Sequence, residues 1–147
     1  MKKITFLASA ILLFFSACNN GGGDVDEINR LREEAIAVHD EIMPQISAFD
    51  RNTVKIDSLL VNLPQLKEAY PDIDTTQTRT ELTTLKNQLE QATNSMMDWM
   101  TEFDVDPQDK STSEIKAYYE EEVEKVKEMK VLFDDASKAS ADKLAQF

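Results

Sequence analysis

Cysteine, histidine and glycine are nearly absent from this sequence, and each shortage excludes a class of chemistry. Cys18 is the single cysteine, so an internal disulfide and a metal site built from several thiolates are both excluded. His39 is the single histidine, which excludes a zinc-binding histidine pair on one helix. The three glycines are consecutive, at residues 21–23, and form no phosphate-binding loop. With no Ser/His/Asp set either, we expect a protein without enzymatic activity.

Positive charge is also scarce. The chain has 16 lysines and arginines against 28 aspartates and glutamates, which gives a formal net charge of −12 at pH 7. A surface of this sign repels the phosphate backbone of nucleic acids and anionic lipid headgroups. Nucleic acid is therefore not an expected partner.

The longest apolar run lies at the N-terminus. Residues 1–3 include two lysines, residues 4–15 are almost entirely apolar, and small residues precede Cys18. This order is typical of a bacterial secretory signal peptide. A run of about 12 residues gives a helix of ~18 Å, which is too short for a hydrocarbon core of ~30 Å. A membrane-spanning helix is therefore not expected here.

The end of this run resembles a lipoprotein signal, in which cleavage precedes a cysteine that carries lipid. Residues 1–17 would then be the signal peptide, although Phe15 stands where leucine is more usual. Acyl chains such as palmitate on Cys18 would anchor the protein stably, because two chains suffice where one does not. We expect residues 18–24 to be the lipidated cysteine and a Gly-rich tether, and residues 25–147 to be one helical domain.

The first part of that domain has the apolar spacing of a helix. Apolar residues recur at steps of 3 and 4 over residues 25–63, with one extra step at Pro44. Proline inside a helix removes one backbone hydrogen bond and clashes with the preceding turn. The spacing predicts one long helix kinked at Pro44, and the alternative is two helices broken near Met43.

Two further apolar seams follow, over residues 75–103 and 115–144. Each is preceded by a capping-box pattern, at Asp74 and at Ser111. The acidic run at residues 120–122 is assigned to the solvated side of the third helix. Three long amphipathic helices with short connections predict an all-α fold, an antiparallel up-down-up bundle in which each helix buries one stripe.

Antiparallel packing would bring the single histidine and several methionines to one level. His39 would lie level with Trp99. His39 and Met43 are four residues apart and share one helix face, and Met96 and Met100 do the same on the second helix. Imidazole and thioether groups are ligands that soft Cu(I) accepts, and a His/Met pair can also bind haem non-covalently. Methionines also fill cores without binding anything. Both interpretations of this layer stay open at the level of sequence.

Two short stretches resemble a known group of proteins. Residues 39–44 read HDEIMP and residues 96–100 read MMDWM. Together with the leader, they resemble small helical lipoproteins of the Bacteroidota, often loosely labelled "viral A-type inclusion protein". The resemblance implies an envelope lipoprotein with a helical domain, and it supplies no mechanism.

The sequence therefore predicts a lipid-anchored helical bundle with a structural or adaptor role. Lipid on Cys18 would hold it in the cell envelope, at the outer membrane and facing the periplasm. Its acidic helices would contact another envelope protein, and no cofactor is expected. The alternative is a periplasmic protein that binds Cu(I) through His39, Met43, Met96 and Met100.

Overall fold

All regular structure in the described chain is helical. The computed structural model describes residues 21–147, and this range contains no strand, which confirms the all-α prediction. Cys18 and the predicted signal peptide lie outside the described residues. Within residues 21–147, no helix is both long and apolar enough to cross a membrane. The elements are α1 (Gly21–Ile42), a 3₁₀ turn (Met43–Gln45), α2 (Ile46–Val61), α3 (Leu63–Ala69), α4 (Thr75–Glu102) and α5 (Thr112–Leu144).

The start of α1 differs from the predicted one. The helix begins at Gly21, so the three glycines assigned to a tether form its first turn. Asp24 lies in that first turn, where a carboxylate interacts favourably with the helix dipole. A Cβ added at Gly23 would meet nothing within 4 Å, so packing does not require glycine there. Helical structure therefore reaches further toward Cys18 than composition indicates.

The predicted kink at Pro44 is a 3₁₀ turn that separates α1 from α2. Ile42 and Ile46 on either side both keep right-handed helical backbone angles, with φ of −94° and −53°. Proline lies in the first turn of this short element, where its missing N–H costs little. The tighter 3₁₀ winding accommodates the ring without reversing the chain. The outcome lies between the two expected alternatives, a continuous kinked helix and a full break.

The first connection contains a helix that the apolar spacing did not predict. Leu63 is buried at the start of α3, and Pro64 follows it in the first turn. After α3, the Lys67 ammonium donates to the backbone carbonyls of Pro71 and Ile73, each at 2.7 Å. These bonds hold the chain in the turn that leads to α4.

The predicted N-caps of α4 and α5 form, but only one makes a complete box. The Asp74 carboxylate accepts from the backbone N–H groups of Thr76 and Gln77, and these bonds lower the pKa of Asp74. The Gln77 side chain donates to Glu81 instead of reaching back. At α5, the Glu114 carboxylate accepts from both the backbone N–H and the hydroxyl of Ser111. Both helices therefore start where the sequence predicts.

The core is one continuous cluster along the predicted seams. α1 and α4 each pack on α5, and α2 packs on α4. Near the middle, Phe49 of α2 stacks on Phe133 of α5 with ring centroids 5.1 Å apart. The fully or nearly fully buried members are Leu31, Ala35, Ile42, Phe49, Ile56, Leu82, Leu85, Leu89, Ala92, Met96, Trp99, Tyr119, Val123, Val126, Met129, Phe133, Ala136 and Leu144.

Candidate functional site

An aromatic cluster joins the end of α4 to the start of α5. Trp99 stacks on Phe103 with centroids 4.5 Å apart, and Phe103 lies 6.4 Å from Tyr118 and 6.1 Å from Tyr119. The two tyrosine rings are 5.2 Å apart. The imidazole of His39 also lies against Trp99, with ring centroids 5.6 Å apart. The predicted level of His39 and Trp99 is therefore observed, and Trp99 is central to the cluster.

The tyrosine hydroxyls hold the connection between α4 and α5. The backbone N–H of Asp104 donates to the Tyr118 hydroxyl at 2.7 Å, and the Tyr119 hydroxyl donates to the carbonyl of Val105 at 2.7 Å. Burial raises the pKa of both tyrosines, so the hydroxyls stay protonated at neutral pH. This connection is consequently fixed on the aromatic cluster.

A buried carboxylate lies beneath Trp99. Glu122 is 3% exposed, and it accepts from the indole Nε1–H of Trp99 at 2.7 Å and from Lys125 at 2.8 Å. Lys125 also pairs with Glu121 at 2.9 Å. These hydrogen bonds, that to Glu122 first, raise the pKa of Lys125 and keep it charged. The charge of Glu122 is thus matched where it is withdrawn from water.

The placement of Glu122 corrects the sequence interpretation, which assigned residues 120–122 to the solvated side. Glu120 and Glu121 are exposed, but Glu122 is three residues after the buried Tyr119 and next to the buried Val123. A residue three positions after a seam residue lies on the same helix face. That spacing, together with an indole N–H on the facing helix that needs an acceptor when it is buried, is the signal that could have identified Glu122.

A groove between α4 and α5 opens above this buried pair, with a volume of 410 Å³. Its floor is apolar, formed by Trp99, Met129 and the partly exposed Leu132. Its rim carries exposed carboxylates on both helices. The lining residues are Ser95, Asp98, Trp99, Glu102, Lys125, Glu128, Met129 and Leu132. Since Lys125 is already paired with two glutamates, the groove presents net negative charge around an apolar floor.

The imidazole of His39 has an outer and an inner nitrogen. Nδ1 lies 2.9 Å from the carboxylate of Asp40, whose side chain is 70% exposed. Nε2 is buried and has no hydrogen-bond partner among the described residues. Because a carboxylate can only accept, Nδ1 donates, and in the neutral ring Nε2 carries the lone pair.

The predicted methionine ligands do not share one environment. Met96 is fully buried, and Met43 is partly buried against the core. Met100 is 41% exposed and lines a second groove of 270 Å³ together with His39, Trp99 and Phe103. Residues 21–147 contain no group of three or more His, Cys, Asp or Glu side chains that could hold a metal ion. That finding does not address thioether ligands, so the copper site stays a prediction.

Comparison with protein-family models, curated proteins and solved structures gave no match to this chain.

Proposed function

We propose that this protein is a non-enzymatic, lipid-anchored adaptor of the cell envelope, which binds a basic helical segment of another envelope protein in the groove between α4 and α5. The observation that carries the proposal is the apolar floor of that groove within a carboxylate rim. The scaffold we propose is an up-down-up bundle in which α1 and α2 together form the first layer, followed by α4 and α5.

Cross-helix pairs support this arrangement of the bundle. Glu34 pairs with Lys127 and Asn52 bonds to Ser140, so residue numbers rise together along α1, α2 and α5. The pairs between the first layer and α4 run in the opposite sense, because His39 lies beside Trp99 while Asp57 pairs with Lys86. The layer of α1 and α2 would then run parallel to α5, with α4 reversed between them, and this is the up-down-up order that we propose.

The chemistry of the groove indicates the class of partner. Leu132 is 39% exposed above the buried Trp99 and Met129, and it gives the groove the apolar strip that an amphipathic helix covers. Asp98 and Glu102 on α4 and Glu128 on α5 flank that strip on both sides. A helix with one apolar face and basic flanks would pair with both features. Complementary charge of this kind selects partners and speeds their association.

Lipidation at Cys18 is the second part of the proposal. The small residues before Cys18 and the apolar run before them support it. Asn19 and Asn20 alone separate Cys18 from the first residue of α1. The domain would then sit close to the bilayer surface, facing the periplasm.

Reversal of the groove charge should weaken peptide binding. The probe is an amphipathic helical peptide of leucine and lysine, titrated into the full-length protein while the emission of Trp99 is followed. We expect the triple variant Asp98→Lys, Glu102→Lys, Glu128→Lys to bind at least about tenfold more weakly, or ~1.4 kcal/mol. Binding to the unaltered protein should also weaken with added salt.

The matched control reverses three exposed carboxylates elsewhere, Glu33→Lys, Asp50→Lys and Asp72→Lys. It changes the net charge equally, and its affinity should stay within about twofold of the unaltered protein. An equal loss in both variants would show attraction to overall charge and would contradict the groove. In cells, a photo-crosslinker at Leu132 should capture an envelope protein that one at Val54 does not, and absence of any such product would count against the adaptor role.

Substitution of the single cysteine should release the protein from the membrane. When cells are labelled with an alkyne fatty acid, the unaltered protein should carry label and sediment with the envelope. Cys18→Ser should lose the label completely, because no other thiol is present. Full labelling of Cys18→Ser would show that the lipoprotein assignment is wrong.

A further inference from the structure

We propose that His39, Met43 and Met96 form an interior site for a soft monovalent cation, Cu(I) or its analogue Ag(I), between α1 and α4. This inference goes beyond the adaptor role and does not depend on it. It starts from the His39 Nε2 atom, which is buried without a hydrogen-bond partner. A buried polar atom without a hydrogen-bond partner destabilises a fold, so its retention needs a reason.

The state of the His39 ring suits a metal ligand. Its Nδ1 donates to Asp40, which leaves the lone pair on Nε2 and fixes the orientation of the ring. Metal-binding histidines are commonly held in this way by a carboxylate on the other nitrogen. Asp40 is thus a positioning residue at the surface, and Nε2 is the atom turned away from solvent.

Two methionines lie one helical turn from the contact between His39 and Trp99. His39 contacts Trp99, which sets the level of α1 against α4. Met43 lies four residues after His39, and Met96 lies three residues before Trp99. The two segments run in opposite directions. The step from His39 to Met43 and the step from Trp99 to Met96 therefore both move about one helical turn toward the same end of the bundle. Met96 belongs to the buried core, and Met43 packs against that core.

The interior site that we propose leaves out Met100, which belongs to the set predicted from the sequence. Met100 is 41% exposed and lines the outer groove together with His39 and Trp99. Met97 is half exposed and is not among the residues that line that groove. The interior set therefore contains one imidazole nitrogen and two thioether sulfurs. This is a donor set for Cu(I), while Mg²⁺ and Ca²⁺ favour oxygen ligands.

The test measures copper retained by the full-length protein after anaerobic titration with Cu(I) and gel filtration, together with quenching of Trp99. The Cys18→Ser variant is run in parallel, because a free thiol would itself bind Cu(I). We expect one copper per chain in both. Met43→Leu and Met96→Leu should each weaken binding at least about tenfold, and Asp40→Asn should do so by about tenfold through ring orientation.

The controls replace methionines outside the set. Met97→Leu and Met100→Leu should bind copper as the unaltered protein does, and leucine conserves the side-chain volume so the fold should persist. The proposal is overturned if no copper is retained, if Met43→Leu and Met96→Leu bind normally, or if Met100→Leu alone abolishes binding. None of these variants alters the carboxylate rim, so the outcome is independent of the peptide test.

Discussion

Phe133→Ala should lower the free energy of unfolding by about 3–5 kcal/mol. Phe133 is fully buried at the middle of α5 and stacks on Phe49 of α2. Removing its ring leaves a cavity in the close-packed core, and the backbone can close it only partly. Urea denaturation followed by circular dichroism measures the effect as a lower midpoint with an unchanged slope.

Val131→Ala provides the control on the same helix. Val131 lies two positions earlier and is 58% exposed, so its removal should change stability by less than about 0.5 kcal/mol. A similar small effect for Phe133→Ala would show that the Phe49–Phe133 contact is not part of a packed core. Because native stability is typically only 5–15 kcal/mol, the expected loss is a large share of the total.

Glu122→Ala should destabilise the protein by about 1–3 kcal/mol and shift the emission of Trp99. The substitution removes the acceptor of the indole N–H and one of the two glutamates that pair with Lys125. The indole N–H is then left buried without a partner. Denaturation midpoints and the emission spectrum of the folded state measure the two consequences separately.

Glu121→Ala is a close control, because Glu121 also pairs with Lys125 but is 67% exposed. Exposed pairs contribute little, so this variant should lie within about 0.5 kcal/mol of the unaltered protein. Glu122→Gln keeps an acceptor for the indole and should cost less than Glu122→Ala. If Glu121→Ala and Glu122→Ala were equally destabilising, burial of the carboxylate would have no energetic significance.

The apolar periodicity and the capping patterns predicted those features that depend on a single helix. The seams, the start of α4 at Thr75 and the cap at Ser111 follow from local spacing and capping chemistry, which act within a few residues. The contact of His39 with Trp99 followed from counting residues across an antiparallel pair. These features required at most the pairing of two helices and no further knowledge of the tertiary packing.

The features that were not predicted depend on tertiary packing. α3 is a short helix of seven residues, too short for a clear periodic signal, and it forms because Leu63 is buried and Pro64 suits a first turn. Glu122 lies in an acidic run that is otherwise solvated, and only the indole of a distant helix accounts for its burial. The spacing alone likewise did not predict which methionines are buried. Met96 and Met100 are four residues apart on one helix face, but only Met96 is buried.

The starts of α1 and α5 lie at the same end of the bundle. If Cys18 carries lipid, this placement limits how far from the membrane surface a partner can bind. Asp24 near the start of α1 lines one cavity with Thr112 and Lys116 at the start of α5. Glu128, on the groove rim, lies about 16 residues further along α5, or ~24 Å from that end. If Cys18 carries lipid, the groove opens within a few nanometres of the bilayer. A soluble periplasmic protein would then compete poorly for the groove. A segment of a neighbouring membrane protein is already held by its own anchor at the same distance from the bilayer.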